Sequence, residues 1–229
     1  MNLLAIETAT ESCSAALLAG GRLLERSELA PRRHAELLLP MCEALLAEAG
    51  LRRADLDALA VGCGPGAFTG VRLAISAAQG IALALDLPVV PVSSLAALAM
   101  QAPPNGADVL AVIDARMGEV YAGTFRRGGD GLIEAIGPET VGAAEALSLP
   151  AAPAWNVIGS GWTGYATALA TRLPAPPVWA DGERYPQAAD VARLAEPLAR
   201  EGRGVAAEQA LPVYLRDKVA LTLDEQRRR

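Results

Sequence analysis

Histidine is almost missing from this chain. His34 is the only one in 229 residues, so a metal centre needing two imidazoles is excluded by count, and a hydrolytic dyad or triad would have to use this one ring. Cysteine is scarce and badly spaced for a framework. Cys13, Cys42 and Cys63 form no C-x-x-C pair and are odd in number, which argues against disulfides or a zinc knuckle and points to a reducing compartment. Aromatic residues supply 4% of a composition that is 52% hydrophobic, so the core must be built from small aliphatic side chains. Basic residues (20) are outnumbered by acidic ones (26), for a net charge of -6. That field repels phosphate, and the chain alone is expected to bind RNA poorly. The Arg227-Arg228-Arg229 run reads as a solvated end. The longest apolar stretch, Leu73 to Leu85, is bounded by Arg72 and Asp86 and falls short of the ~20 residues that span a bilayer. No membrane segment is expected. Met1-Asn2-Leu3-Leu4-Ala5-Ile6-Glu7 has no basic start and meets an acid too early for a secretory segment, so the expected location is the cytoplasm.

A chain of this length is expected to bury about 70% of its unfolded surface. Leu3 to Thr8, Ser14 to Leu18 and Arg22 to Leu29 read as a three-stranded antiparallel meander, with turn signals at Ala9-Thr10-Glu11-Ser12 and Gly20-Gly21. Leu38, Met41, Leu45 and Ala49 recur at helical spacing, predicting a helix over His34 to Ala49 that stops at Gly50 and kinks at Pro40. A strand over Leu56 to Gly62, a glycine loop over Gly64 to Gly70, a helix over Val71 to Leu85, a strand over Val89 to Val92 and a helix near Leu95 follow, an order that implies parallel strands. After the linker Pro103-Pro104-Asn105-Gly106 the opening pattern returns: Val109 to Asp114, Glu119 to Arg126, a turn at Gly128-Gly129-Asp130-Gly131, and Leu132 to Ile136. An acid ends the first strand of each copy, Glu7 and Asp114. A strand near Val157, a helix over Trp162 to Arg172 and a helix over Gln187 to Glu201 complete the second unit.

These features predict an α/β fold of duplicated meander-plus-helix units with a reduced second lobe, and the arrangement resembles the two-lobed actin-like ATPase (ASKHA) fold, a likeness of fold that implies no function. The expected divisions are 1–102, 103–204, and a segment 205–229 that packs back on the first lobe.

Gly64-Pro65-Gly66-Ala67-Phe68-Thr69-Gly70, between a strand and a helix, could cradle an anion on backbone N–H groups. It lacks the lysine of a Walker loop, and its glycines equally suit a tight turn under a closely packed helix. Glu7 and Asp114 could stand beside a metal or phosphate, or could cap turns. His34 reads as a helix-start residue. Ser76, Gly80 and Ala84 recur every fourth residue, a smooth face that lets another backbone approach, whether in this chain or another.

Three segments carry a family likeness: Leu4-Ala5-Ile6-Glu7-Thr8-Ala9-Thr10, His34-Ala35-Glu36-Leu37-Leu38-Leu39-Pro40 and Val61-Gly62-Cys63-Gly64-Pro65-Gly66-Ala67-Phe68-Thr69-Gly70-Val71-Arg72. So do Pro88 to Leu95, Asp114 to Tyr121 and Tyr214 to Ala220. On these the chain resembles the TsaB (YeaZ) family of bacterial tRNA threonylcarbamoyladenosine biosynthesis proteins, with Glu7 where Asp is usual and Ala67 where Ser is usual. The resemblance implies a non-catalytic subunit that supports the catalytic paralogue TsaD with the ATPase TsaE, pairs with itself when alone, and meets tRNA only through the complex. TsaD holds its metal through a His-x-x-x-His segment, and the matching positions here are Ser94 and Leu98. The resemblance therefore implies no catalytic residue, no metal and no cofactor. It places the partner interface on His34, Leu37, Leu38, Met41 and Leu45 of one helix and on Arg72, Ser76, Gly80 and Ala84 of the next. Glu7, Thr8, Gly64, Gly66, Thr69 and Gly70 form a loop that either faces a nucleotide or is structural. A stand-alone small-molecule kinase or ATPase of the same fold, and a peptidase, are the competing expectations.

Overall fold

The computed structural model of the chain describes residues 1–216. Its first unit opens with β1 (Leu3–Glu7), β2 (Ser12–Ala19) and β3 (Arg22–Leu29), an antiparallel meander. Gly20 and Gly21 both take positive φ, 57° and 79°, the geometry of a two-residue hairpin turn whose twist matches its strands. Helix α1 (His34–Ala49) ends on Gly50, whose left-handed backbone lets its N–H reach the Ala47 and Leu46 carbonyls. Pro40 lies inside α1, which runs on as one helix rather than dividing there. Strand β4 (Ala58–Gly62), helix α2 (Phe68–Leu85), strand β5 (Val89–Val92) and the short helix α3 (Ser94–Ala99) follow, and β4 pairs in parallel with both β1 and β5.

The second unit holds β6 (Asp108–Arg116), β7 (Glu119–Arg127), β8 (Ile133–Ala135), β9 (Thr140–Ala143), β10 (Trp155–Ile158), α4 (Ser160–Ala170), β11 (Trp179–Asp181) and α5 (Ala188–Arg200). Strand order makes the duplication plain. The first sheet runs β3-β2-β1-β4-β5, and the second runs β8-β7-β6-β10-β11, with β9 also paired to β7. Meander edge, meander centre, first strand and two parallel strands occur in the same spatial sequence twice, the two-lobed actin-like architecture.

Four apolar layers cover the four sheet faces. Leu38, Leu45, Ala74 and Ala78 of α1 and α2 pack with Ile6, Leu17 and Val61 on the outer face of the first sheet. Ala188, Val191, Ala192 and Ala195 of α5 pack with Leu3, Ala5 and Ala60 on its inner face. Leu95 and Leu98 of α3 join Val109, Ile113 and Phe125 of the second sheet. Leu169 of α4 joins Leu110, Val112 and Trp155 on its outer face. The lobes thus exchange helices: α5, expected within the second lobe, packs on the first sheet, while α3, expected within the first, packs on the second. An amphipathic helix satisfies its apolar stripe on whichever sheet face the connection reaches, and periodicity does not say which.

Other local expectations shift. Helix α2 begins at Phe68, so Thr69 and Gly70 belong to its first turn rather than to a loop. Strands β9 and β11 have no counterpart among the elements expected from sequence, because four- and three-residue segments carry too little alternation to register. Helix α2 is long and apolar enough by composition to cross a bilayer, yet its Val71, Ala74, Ile75, Ala78 and Ala82 form one layer of the first lobe.

After α5 the chain returns to the first lobe. Val205 exchanges backbone hydrogen bonds with Val89 at 2.8 and 2.9 Å, Ala207 and Ala210 are buried beside α2, and Gln79 Nε2 donates to the Ala210 carbonyl at 3.1 Å. The Arg227–Arg229 run lies outside the described residues.

Asp190 is 4% exposed on α5. Burial pushes its carboxyl up to about 6, against the pull of Arg193, whose Nη1 lies 2.5 Å from Oδ1; Glu25 adds to the rise and Arg127 opposes it. A group whose folded pKa is raised holds its proton better in the native state, so stability falls as pH climbs from the usual aspartate range through about 6. Asp190→Asn is expected to remove that fall, making the chain more stable than the parent by about 1–2 kcal/mol near pH 7.5 and similar to it near pH 4.5. Urea titrations at both pH values check this. An Asn variant that is less stable at the higher pH would mean that the Arg193 pair outweighs the burial cost.

Candidate functional site

A cleft of about 520 Å³ opens between the lobes, lined by Thr10, Glu11, Arg72, Asp114, Arg116 and Tyr121 among others. Its rim is made by the two equivalent hairpin turns. In the second, Arg116, Met117 and Gly118 all take positive φ, 63°, 58° and 84°, so the chain reverses in a tight hairpin after a bulge between Asp114 and Arg116. This throws the Arg116 guanidinium across the cleft to Glu11, 2.9 Å away, while its other nitrogen lies 3.1 Å from Asp114. Asp114 also accepts the Arg116 N–H at 2.8 Å. It caps its own turn, and it does so at the edge of the cleft.

Glu7 behaves differently. It is fully buried, Oε1 accepts the Ala9 N–H at 2.6 Å, and Oε2 accepts the Ser94 hydroxyl at 2.7 Å. Burial raises its pKa, with the Ala9 and Ser94 bonds opposing. Gly62 is required there, because a Cβ at that position would overlap the Glu7 carboxylate. Glu7 therefore ties β1 to the start of α3 and does not line the cleft. Thr8 is also buried, its hydroxyl donating to the Gly70 carbonyl at 2.8 Å.

The glycine loop is closed by the protein's own backbone. The Ala67 N–H donates to the Ala9 carbonyl at 2.7 Å. A side chain on Gly66 would strike Ala9, and one on Gly70 would strike the Thr8 carbonyl. Gly64, at φ 92°, packs against Val71 and the Val213 carbonyl. Its glycines permit the close approach of the β1–β2 turn to α2. Gly66 alone of them borders the cleft, and Thr69 is exposed on α2.

The two outer helices divide sharply. Leu38 and Leu45 are 1% and 0% exposed and belong to the core, so they cannot form a contact surface without unfolding. Helical spacing marked them as one face, but that face meets the first sheet. His34 is half-buried and its Nε2 lies 2.9 Å from the Thr10 carbonyl, joining α1 to the first turn. Leu37 and Met41 are half-buried at the margin. On α2 the pattern is the reverse: Ser76, Gly80 and Ala84 are exposed, and a Cβ on Gly80 would meet no heavy atom within 4 Å. Leu83, beside them, is 66% exposed and Leu39 of α1 is 51% exposed, apolar surface that no sequence pattern singles out. Arg72 is half-buried because its guanidinium lies 3.2 Å from the Phe68 ring centre and 4.8 Å from that of Tyr214. Tyr214 is 146 positions away in sequence from Phe68 and no local pattern pairs them.

Ser94 is bonded to Glu7 and Leu98 is fully buried in the second lobe. Among the described residues no three His, Cys, Asp or Glu side chains gather as a metal site. The thiols of Cys13, Cys42 and Cys63 are buried, and burial pushes them up to about 11, 12 and 12, away from nucleophilic reactivity.

A family described as tRNA N6-adenosine threonylcarbamoyltransferase (TsaD) matches residues 26–221. The tRNA threonylcarbamoyladenosine biosynthesis protein TsaB of Escherichia coli (strain K12) is 42% identical over 231 residues, with 96% of each chain covered. TsaB of Haemophilus influenzae is 50% identical over 123 residues, covering 53% of this chain and 52% of its own. The solved structure of YeaZ from Pseudomonas aeruginosa superposes with a TM-score of 0.86 at 48% identity, over 93% of this chain and 99% of that one. Matched along nearly its whole length in sequence and in fold, this chain belongs to the TsaB (YeaZ) family, within the wider threonylcarbamoyltransferase family of TsaD.

Proposed function

We propose that this chain serves N6-threonylcarbamoyladenosine formation in cytoplasmic tRNA as a non-catalytic subunit, binding a TsaD-like catalytic paralogue and working with a TsaE-like ATPase. The observation that carries this reading is the outward face of α2. Ser76, Gly80 and Ala84 form a row of small residues with Leu83 beside it, all exposed on a helix whose opposite side is packed in the core. Small residues let helix axes approach to the short end of the usual 8–10 Å range, and an apolar anchor beside them suits the centre of an interface. The same face can pair two copies of this chain when the paralogue is absent.

The positions equivalent to the catalytic metal ligands support the non-catalytic half of the reading, since a serine bonded inward and a buried leucine offer a cation nothing. With its acidic balance the chain meets tRNA through the assembly rather than by itself. Reconstitution tests this. The TsaD-like and TsaE-like proteins, given tRNA, threonine, bicarbonate and ATP with the enzyme that makes the threonylcarbamoyl adenylate, are expected to form modified adenosine only when this chain is added, and this chain alone is expected to form none. Full-rate modification without it overturns the proposal.

A further inference from the structure

Residues 211–216 have no regular secondary structure, yet they are held on both lobes. On the first, the Val213 N–H donates to the Cys63 carbonyl at 2.9 Å, and the Tyr214 ring faces the Arg72 guanidinium that also covers Phe68. On the second, Arg216 Nη2 donates to the Ala115 carbonyl at 3.1 Å and pairs with the Glu119 carboxylate, both on the β6–β7 hairpin. Between these anchors Val213, Tyr214, Leu215 and Arg216 form one wall of the cleft.

We propose that 211–216 is a strap that sets the angle between the lobes, with Arg216 as its latch. The anchors are at Val213 and Arg216, and the three residue steps between them reach at most about 11 Å when extended, so a segment bonded to Cys63 on one lobe and to Ala115 on the other is a short tether that resists lobe separation. The other charged link across the cleft, Arg116 to Glu11, has side chains 72% and 37% exposed, where solvent screens it and its contribution is small. The Arg216 side chain is 19% exposed and its partner Glu119 39%, so the two links differ on the arginine side: the Arg216 guanidinium is largely withdrawn from solvent and makes a second, charge-assisted bond to the Ala115 carbonyl. Release of Arg216 would remove a cleft wall and the tether together, a two-state element of the hinge type. Because Arg72 projects from α2, a partner seated there and the strap would meet through the Phe68–Arg72–Tyr214 stack; the latch itself does not depend on that partner.

Spin labels on Ala47→Cys in α1 and Thr167→Cys in α4 read the lobe separation, since the native thiols are buried. Labelled chain is diluted in unlabelled chain so that distances within one molecule dominate. Arg216→Ala is expected to lengthen or broaden the distance by about 3 Å or more and to speed amide exchange at Val213 at least about tenfold. Glu119→Gln, which keeps the Ala115 bond, is expected to do the same more weakly, and Arg116→Ala to do neither. Parental distance and exchange in Arg216→Ala overturn the proposal, as does equal opening in Arg116→Ala. Should Arg216→Ala fail to fold, an unchanged distance and unchanged exchange in Glu119→Gln overturn it.

Discussion

Gly80→Arg is expected to weaken binding to the TsaD-like partner at least about a hundredfold, a loss of roughly 2.7 kcal/mol or more, while the isolated chain melts close to the parent. The two halves of this expectation rest on different features. Gly80 is exposed and a Cβ there meets nothing within 4 Å, so the arginine extends into solvent in the free protein, and replacing a helical glycine even gains up to about 1 kcal/mol of helix propensity. In a close helix contact the same side chain has no room, and its charge would be desolvated without a partner. Titration calorimetry beside thermal melting separates the effects. Leu169→Arg, at a fully buried second-lobe position, is the control for general damage and should lose folding instead. Unchanged binding by Gly80→Arg places the interface elsewhere.

Gly70→Ala should do the opposite, although it changes a glycine of the same helix by a single methyl. A Cβ on Gly70 would overlap the Thr8 carbonyl, which belongs to buried backbone bridged to Gly70 by the Thr8 hydroxyl, so neither side can move without separating α2 from the β1–β2 turn. The helix-propensity gain of about 1 kcal/mol is outweighed by overpacking against backbone, and a net loss of about 3 kcal/mol or more is expected. For a chain of this size that lowers Tm by roughly 6–12 °C. Differential scanning calorimetry measures it, and a Tm within two or so degrees of the parent would mean that the turn and the helix do not approach as closely as described.

The meanders, helix α1 with its stop at Gly50, and the parallel order of β4 and β5 were legible because each is specified by residues close in sequence. Alternation, 3.6-residue spacing and glycines with positive φ act within a few positions. The repetition of strand order was foreshadowed by the acids at Glu7 and Asp114, but those two equivalent positions diverge: one carboxylate is enclosed by Ala9, Ser94 and Gly62, the other stands at the cleft edge beside Arg116. Nothing in either strand foretells this. The environment of the first acid is completed by Gly62 and Ser94, 55 and 87 positions away, and that of the second is set by a turn conformation.

The glycine-rich run gives the same lesson. Its spacing allowed an anion cradle or a tight approach, and only the packing of Ala9 and Thr8 against Gly66 and Gly70 favours approach. Spacing likewise placed Leu38 and Leu45 on one face of α1 and Ser76, Gly80 and Ala84 on one face of α2, without saying that the first is core and the second is surface. Residue order thus determined the elements, the duplication, the shortage of metal-binding side chains and the family likeness, all of which follow from local periodicity and from counting. Which sheet α3 and α5 cover, where Glu7 is sealed, which helix face is left open and how residues 211–216 join the lobes were settled by folding, because burial and long-range pairing depend on what the rest of the chain brings to each surface.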